Sequence, residues 1–203
     1  MNFRISISIG LICFGLMAAV LPQRNNTKGH LSPKQSVEVL LNEDNFLSAD
    51  EVARAIVNED SAILLIDLRT AGEFRKFNIP GSVNIPINEL TGKDNTGYLF
   101  QKGKKIVFYS NGDILSAEAH TLASQMGAKN CFILKGGLNE WFKTVMLTEF
   151  TGTTITPAEN ALFEVRYKAR NFFTQMNSIP DSLKGKFLST KKTEAKKLVG
   201  GCE

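Results

Sequence analysis

Apolar positions along this chain fall into two patterns that alternate. Ile63 to Leu68 is an unbroken apolar run apart from Asp67, and Lys105-Ile106-Val107-Phe108-Tyr109, Asn130 to Leu134 and Ser82 to Ile85 have the same form. Short continuous runs of this kind predict parallel strands covered on both faces. Between them the pattern turns helical. Ser48 with Glu51 is a capping box that opens a helix from Ala49 to Val57, with Val52, Ala55 and Ile56 on one face. Ala71 to Phe77 predicts a second short helix, Thr91 to Gly97 a loop, and Trp141 with Phe142 a helix after Gly136-Gly137. Strands alternating with short helices imply an α/β fold, a parallel sheet with helices on both faces.

The central stretch runs from Lys105 to Met126. Its strand leads through Ser110-Asn111-Gly112-Asp113 into a helix from Ile114 to Met126, whose apolar stripe is Leu115, Ala119, Leu122, Ala123 and Met126 and whose end is Gly127. A tight turn between a strand and a helix N-terminus gathers backbone N–H groups around one point, and Ser110 stands in the middle of that cradle. Asp113 is expected to cap the helix. His120 lies off the stripe and reads as a solvated residue. Ser110 and His120 lack a third orienting residue and an oxyanion motif, so they do not read as a catalytic pair.

Outside this core, Thr27 to Asn45 reads as a polar linker with a marginal helix around Val37, Val39, Leu40 and Leu41. Thr156-Pro157-Ala158-Glu159 opens a C-terminal helix whose stripe is Leu162, Val165, Ala169, Phe172, Phe173 and Met176. That helix is expected to pack on its own domain, the other reading being a face for a partner protein or membrane. Beyond Pro180 the chain becomes a lysine-rich tail. The resulting division is a signal peptide or anchor at 1–24, a linker at 25–45, one α/β domain at 46–148 and a helical extension with tail at 149–203.

Composition narrows the function classes. A length of 203 residues with 43% hydrophobic content supports one domain with extensions. A formal charge of +4, not gathered with aromatics into a groove, argues against nucleic acid. His30 and His120 are the only histidines, and Cys13, Cys131 and Cys202 form no metal or dithiol motif, so no metal and no cofactor are expected.

Met1 to Arg4 is a positive start, and Ile5 to Leu21 an uncharged apolar run ending at Pro22. This is the layout of a secretory signal, cleaved or retained as a membrane anchor, and implies an exported, periplasmic or extracytoplasmic protein. Cys13 is one more apolar position in it. An oxidising compartment would permit a disulfide between Cys131 and Cys202. Cys131, within an apolar run, reads as a small core residue, and Cys202, the penultimate residue, as a reactive thiol on the tail.

Five segments carry a resemblance: Leu65-Ile66-Asp67-Leu68-Arg69-Thr70; Glu73-Phe74; Asn78-Ile79-Pro80-Gly81-Ser82-Val83-Asn84-Ile85-Pro86; Ile106-Val107-Phe108-Tyr109; and Lys135-Gly136-Gly137-Leu138-Asn139-Glu140-Trp141. In this order and spacing they resemble the rhodanese family. The resemblance implies that Asp67 and Arg69 belong to the scaffold around the site, and that Asn78 stands where the family usually has histidine. It places Ser110 where active rhodaneses keep the cysteine that carries a persulfide, in a loop of the form Cys-x-x-Gly-x-Arg-Ser. Here the loop reads Ser110-Asn111-Gly112-Asp113-Ile114-Leu115-Ser116. A hydroxyl cannot hold a persulfide, and Leu115 offers no anion clamp in place of arginine, which also removes the chemistry of the rhodanese-fold phosphatases.

The expectation is an exported rhodanese-like domain without sulfurtransferase activity, with no catalytic residue, that acts as a protein- or ligand-binding module at the envelope, the loop from Ser110 to Ser116 being a possible ligand site. The alternative is a sulfurtransferase or sulfur carrier using Cys202. A third reading is a subunit of a membrane-associated assembly that associates through an exposed Phe172/Phe173 face. The oligomeric state is left open.

Overall fold

The computed structural model describes residues 33–149, 156–180, 182–186 and 189. Five strands, β1 (Phe46–Leu47), β2 (Ile63–Asp67), β3 (Val83–Asn84), β4 (Lys105–Tyr109) and β5 (Cys131–Leu134), form one sheet in the order β1-β5-β4-β2-β3. Every pairing is parallel, and Asp67 lies level with both Tyr109 and Asn84 at the carboxyl ends of the strands. The α/β expectation is therefore met, with strand ends at most one residue inside those expected.

Side chains alternate across the sheet and build two cores. Leu65, Val107 and Tyr109 face one way, into a cluster with Val52 and Ala53 of α2 (Ala49–Val57) and with Leu138 and Trp141 of α6 (Gly137–Trp141). Ile66, Ile106, Phe108 and Cys131 face the other way, against Ala119 and Ala123 of α5 (Asp113–Gln125). Capping boxes start α2 at Ser48/Glu51 and α3 (Ala71–Lys76) at Thr70/Glu73. Thr96–Leu99, expected partly as loop, forms the helical turn α4.

The marginal helix expected around Val37 to Leu41 forms as α1 (Pro33–Leu41), and it packs against α5 rather than lying in a free linker. Two sequence-based expectations on α5 need correction. The buried face of α5 is Ser116, Ala117, Ala119, Thr121 and Ala123, while Leu115 and Met126 are exposed. Small residues let the helix lie close to Phe108 and Cys131, and this close approach, rather than bulk, selects the face. His120 is half-buried on the same helix, and its imidazole pKa is lowered chiefly by burial, opposed by a hydrogen bond with the backbone of Cys131.

The C-terminal helix α7 (Pro157–Ser178) starts at a capping box made by Thr156 and Glu159 and packs on α2 and on the π-helical turn Phe142–Met146. Ala169, Phe172, Phe173 and Met176 are buried, and the Phe173 ring meets that of Phe142 edge-on at 5.6 Å. Arg166 grips both carboxylate oxygens of Asp50 at 2.7 Å. Asn177 accepts the Asn78 N–H and donates to the Asn78 carbonyl, both at 2.9 Å. The reading that needed an exposed Phe172/Phe173 face is overturned, because these rings are 7% and 4% exposed. Among the described residues no helix is long and apolar enough to cross a membrane. The Ile5 to Leu21 segment and Cys202 lie outside the described residues.

Candidate functional site

Ser110 follows β4, which lies between β5 and β2, and leads into the N-terminus of α5. Its backbone is held from the side by α6. Leu138 N–H donates to the Ser110 carbonyl at 2.9 Å and Asn139 N–H to the Asn111 carbonyl at 3.1 Å. In a trans peptide the N–H lies opposite the carbonyl, so the Asn111 and Gly112 N–H groups point away from α6. The Ser110 hydroxyl turns back on its own loop. It donates to the Gly112 carbonyl at 2.6 Å and accepts the Gly112 N–H at 3.4 Å.

Two glycines make this approach feasible. Gly136 and Gly137 adopt φ of 70° and 57°, and a Cβ on Gly137 would lie 2.6 Å from the Ser110 carbonyl oxygen. The N-cap of α5 is Gly112, without a side-chain cap, and Asp113 is the first residue inside the helix. The Asp113 carboxylate accepts the Gly136 N–H at 2.7 Å instead of capping α5. This corrects the capping expectation: the carboxylate ties the loop to the second glycine turn, and burial raises its pKa against the pull of the Gly136 N–H and Lys135. The Gly136-Gly137 pair, one residue past β5, is the feature of the sequence that could have signalled this docking.

Asp67 and Arg69 form a buried ion pair below the loop, with Arg69 Nη2 2.6 Å from Asp67 Oδ2 and Nε 3.0 Å from Oδ1. Arg69 also donates to the Phe77 carbonyl at 2.8 Å and lies over the Phe77 ring. Burial works against the Arg69 charge, and the Asp67 carboxylate outweighs it, so the guanidinium pKa is raised. Both side chains are engaged within the scaffold. Tyr109 OH donates to Ser82 Oγ at 2.8 Å and accepts the Ile79 N–H at 3.2 Å; burial, then the Asp67 charge, pushes its pKa well up.

Around the mouth, Ile114 is 77% exposed and Leu115 37%, and Asn111 Nδ2 reaches Glu73 Oε1 at 3.4 Å. Ser116 is buried with its hydroxyl unpartnered. Cys131 is the thiol among the described residues. It lies level with Ile106, four residues before Ser110 and thus about 13 Å down the strand, and burial raises its pKa to about 11. His120 follows Asp113 by seven residues, about 10 Å along α5. The structure therefore brings together Ser110, Asn111, Gly112 and Asp113 with Gly136 and Gly137, and leaves Cys131 and His120 apart from them. Among the described residues no group of His, Cys, Asp and Glu is arranged to hold a metal ion.

A five-stranded parallel sheet with a strand-to-helix loop at its carboxyl edge defines the class, and the family comparison agrees: residues 48–144 match the rhodanese-like domain model. The chain carries a rhodanese-like domain over this span. Among curated proteins it is similar to an uncharacterised protein of Buchnera aphidicola subsp. Baizongia pistaciae, 31% identical over 99 residues, 47% of this chain and 66% of that one. It is 29% identical to the centrosomal protein of 41 kDa of Gallus gallus over 50% of this chain and 29% of that one. It is 26% identical to the mitochondrial thiosulfate sulfurtransferase RDL2 of Saccharomyces cerevisiae, over 45% and 68% respectively. The chain thus spans less than two thirds of the first two relatives. Among solved structures, a rhodanese-related protein of Thermoplasma volcanium is 27% identical with a TM-score of 0.42, covering 49% of this chain and 91% of that one.

Proposed function

We propose that this protein is an exported rhodanese-like domain that has lost sulfurtransferase activity and binds another protein at the cell envelope. In this reading Ser110 replaces the sulfur-carrying cysteine of the family and Leu115 its arginine. One observation carries it: the Ser110 hydroxyl closes onto the Gly112 carbonyl at 2.6 Å, inside a loop with no thiol of its own. Sulfur transfer needs a polarisable atom that accepts sulfane sulfur and releases it, and a serine oxygen does neither. The buried Cys131, with a pKa of about 11, is a poor substitute. Exposed Ile114 and Leu115 beside the loop supply the apolar contact surface that a protein partner would use. Export rests on the sequence layout of Met1 to Leu21, with cleavage or retention as an anchor left to N-terminal sequencing of the chain recovered from the envelope.

The enzymatic alternative draws on one finding, the similarity to a protein named as a thiosulfate sulfurtransferase. It would have to work through a thiol outside the loop, with Cys202 the candidate. A thiosulfate-to-cyanide assay on the purified full chain separates the two. The binding reading expects no turnover above the uncatalysed rate. Turnover that disappears in Cys202→Ser would establish the alternative.

A further inference from the structure

The unpartnered hydroxyl of Ser116 is explained by the loop above it. Gly112 is the N-cap of α5, so its carbonyl accepts the Ser116 N–H as the first bond of the helix. The same carbonyl accepts the Ser110 hydroxyl at 2.6 Å. A carbonyl oxygen has two lone pairs, and both are taken. A serine or threonine inside a helix can donate to the carbonyl four residues back, as Thr121 does to Ala117 at 2.8 Å on this helix. Ser116 is denied that bond because the carbonyl it would use is the one Ser110 holds. Its side chain is left fully buried, with no partner for Oγ.

One turn further on, Nδ1 of His120 is also buried without a partner. The hydrogen bond with the Cys131 backbone raises the imidazole pKa against burial, so the ring is its donor and Nε2 carries the hydrogen. Neutral His120 thus offers Nδ1 as an acceptor. At a spacing of four the two side chains share one face of α5, and His120 leans back toward Ser116. A donor and an acceptor, each unpartnered, therefore lie one turn apart on the helix that opens at the loop. Toward α5, β4 presents Ile106 and Phe108, β5 presents Cys131 and α1 presents Glu38, while Tyr98 packs against the same cluster. Asp113 and Glu118 are the carboxylates of α5 itself. The His120 pKa is set by burial and the Cys131 backbone rather than by any of these side chains.

We propose that Ser116 is a two-position switch worked by His120, which ties the hydrogen bonding of the Ser110 loop to pH. With His120 neutral, a turn about the Ser116 χ1 bond lets its hydroxyl donate to Nδ1. When His120 takes a proton from solvent, Nδ1 becomes a donor and the Ser116 oxygen accepts from it. The Ser116 hydrogen then turns to the Gly112 carbonyl and competes there with Ser110. Acid thereby loosens the Ser110 hydroxyl from its own loop. Only hydrogen bonds and one proton change hands, so the switch holds whatever the loop binds.

Proton–nitrogen NMR of the isotope-labelled full chain over a pH series tests the proposal, with His120→Gln distinguishing its ring from that of His30. The Nε2–H tautomer of His120 is expected at neutral pH. The Gly112 amide resonance should move with the same midpoint as the His120 ring, below 6.5. That movement should vanish in His120→Gln. In Ser116→Ala the ring should still titrate while the Gly112 movement is lost, and Ser116→Thr, which keeps a hydroxyl, should retain it. Asp113 is present in every variant, so its own titration cancels from the comparison. An Nδ1–H tautomer, a Gly112 resonance that ignores the His120 midpoint, or a Gly112 movement unchanged in Ser116→Ala would overturn the switch.

Discussion

At the scale of single residues, the chemistry turns on what one side chain does inside a backbone cradle. The cradle depends on peptide orientation, set by Leu138 and Asn139 donating to the Ser110 and Asn111 carbonyls, and is indifferent to the side chain it surrounds. Ser110→Cys therefore tests the loop directly. A thiolate there would keep the Gly112 N–H but would also face the Gly112 carbonyl to which the hydroxyl now donates, and Leu115, 37% exposed, supplies no charge for an incoming thiosulfate. The variant is expected to show weak cyanide-dependent turnover at most, and Ser110→Cys combined with Leu115→Arg clearly more, both read in the same steady-state assay. Strong activity in the single variant would show that an arginine at position 115 matters little.

A second residue-scale prediction concerns pH. Burial lowers the His120 pKa below the ordinary 6.5, against a hydrogen bond with the Cys131 backbone. A base whose folded pKa is depressed contributes stability above its unfolded pKa and loses it as pH falls through the folded one. The urea midpoint should therefore drop as pH falls below about 6.5, and His120→Gln should flatten that drop. Parallel pH profiles for the two proteins would remove His120 as the cause.

Among elements, the contact of interest is α6 against the Ser110 loop. Gly137 sits where a Cβ would meet the Ser110 carbonyl oxygen at 2.6 Å, with further contacts at 2.9 Å to Asn111 and Gly112, and its φ of 57° disfavours any other residue. Gly137→Ala must move the loop or the helix. A loss of about 2 kcal/mol or more is expected in urea unfolding, with enhanced amide exchange at Leu138 and Asn139.

Much of this level was legible in the sequence. Capping boxes at Ser48/Glu51 and Thr156/Glu159 depend on residues three apart, so both were readable and both form. The unbroken apolar runs marked β2 and β4 for the same reason, since each strand is buried on two faces. What failed depended on distant partners. Asp113 looks like a cap from its neighbours, and only the fold brings Gly136 within 2.7 Å of it. The face of α5 was misread because alanines lie against the sheet while Leu115 and Met126 face outward. Glu59, at a φ of 52° just past Asn58, the C-cap of α2, carries no local mark, as its left-handed φ follows from how α2 ends.

For the whole molecule, α7 is part of the folded body. Burying Phe172, Phe173 and Met176 at about 1.5 to 3 kcal/mol each gives about 5 to 9 kcal/mol, comparable with the ~5–15 kcal/mol stability of an entire domain. Arg166 on Asp50 and Asn177 on Asn78 fix its position at two levels. A chain ending at Glu149 is therefore expected to be insoluble or to lack cooperative unfolding, although the family match ends at residue 144. A soluble, cooperatively unfolding truncation would show that α7 is dispensable.

The account rests most heavily on the proposal that Ser110 has taken the place of a sulfur-carrying cysteine, and intact-mass spectrometry after incubation of the full chain with excess thiosulfate measures this directly. The predicted result is a mass identical to that of the untreated protein. A stable gain of one sulfur atom, lost again on addition of cyanide, would contradict it, and peptide mapping would name the residue that carries it.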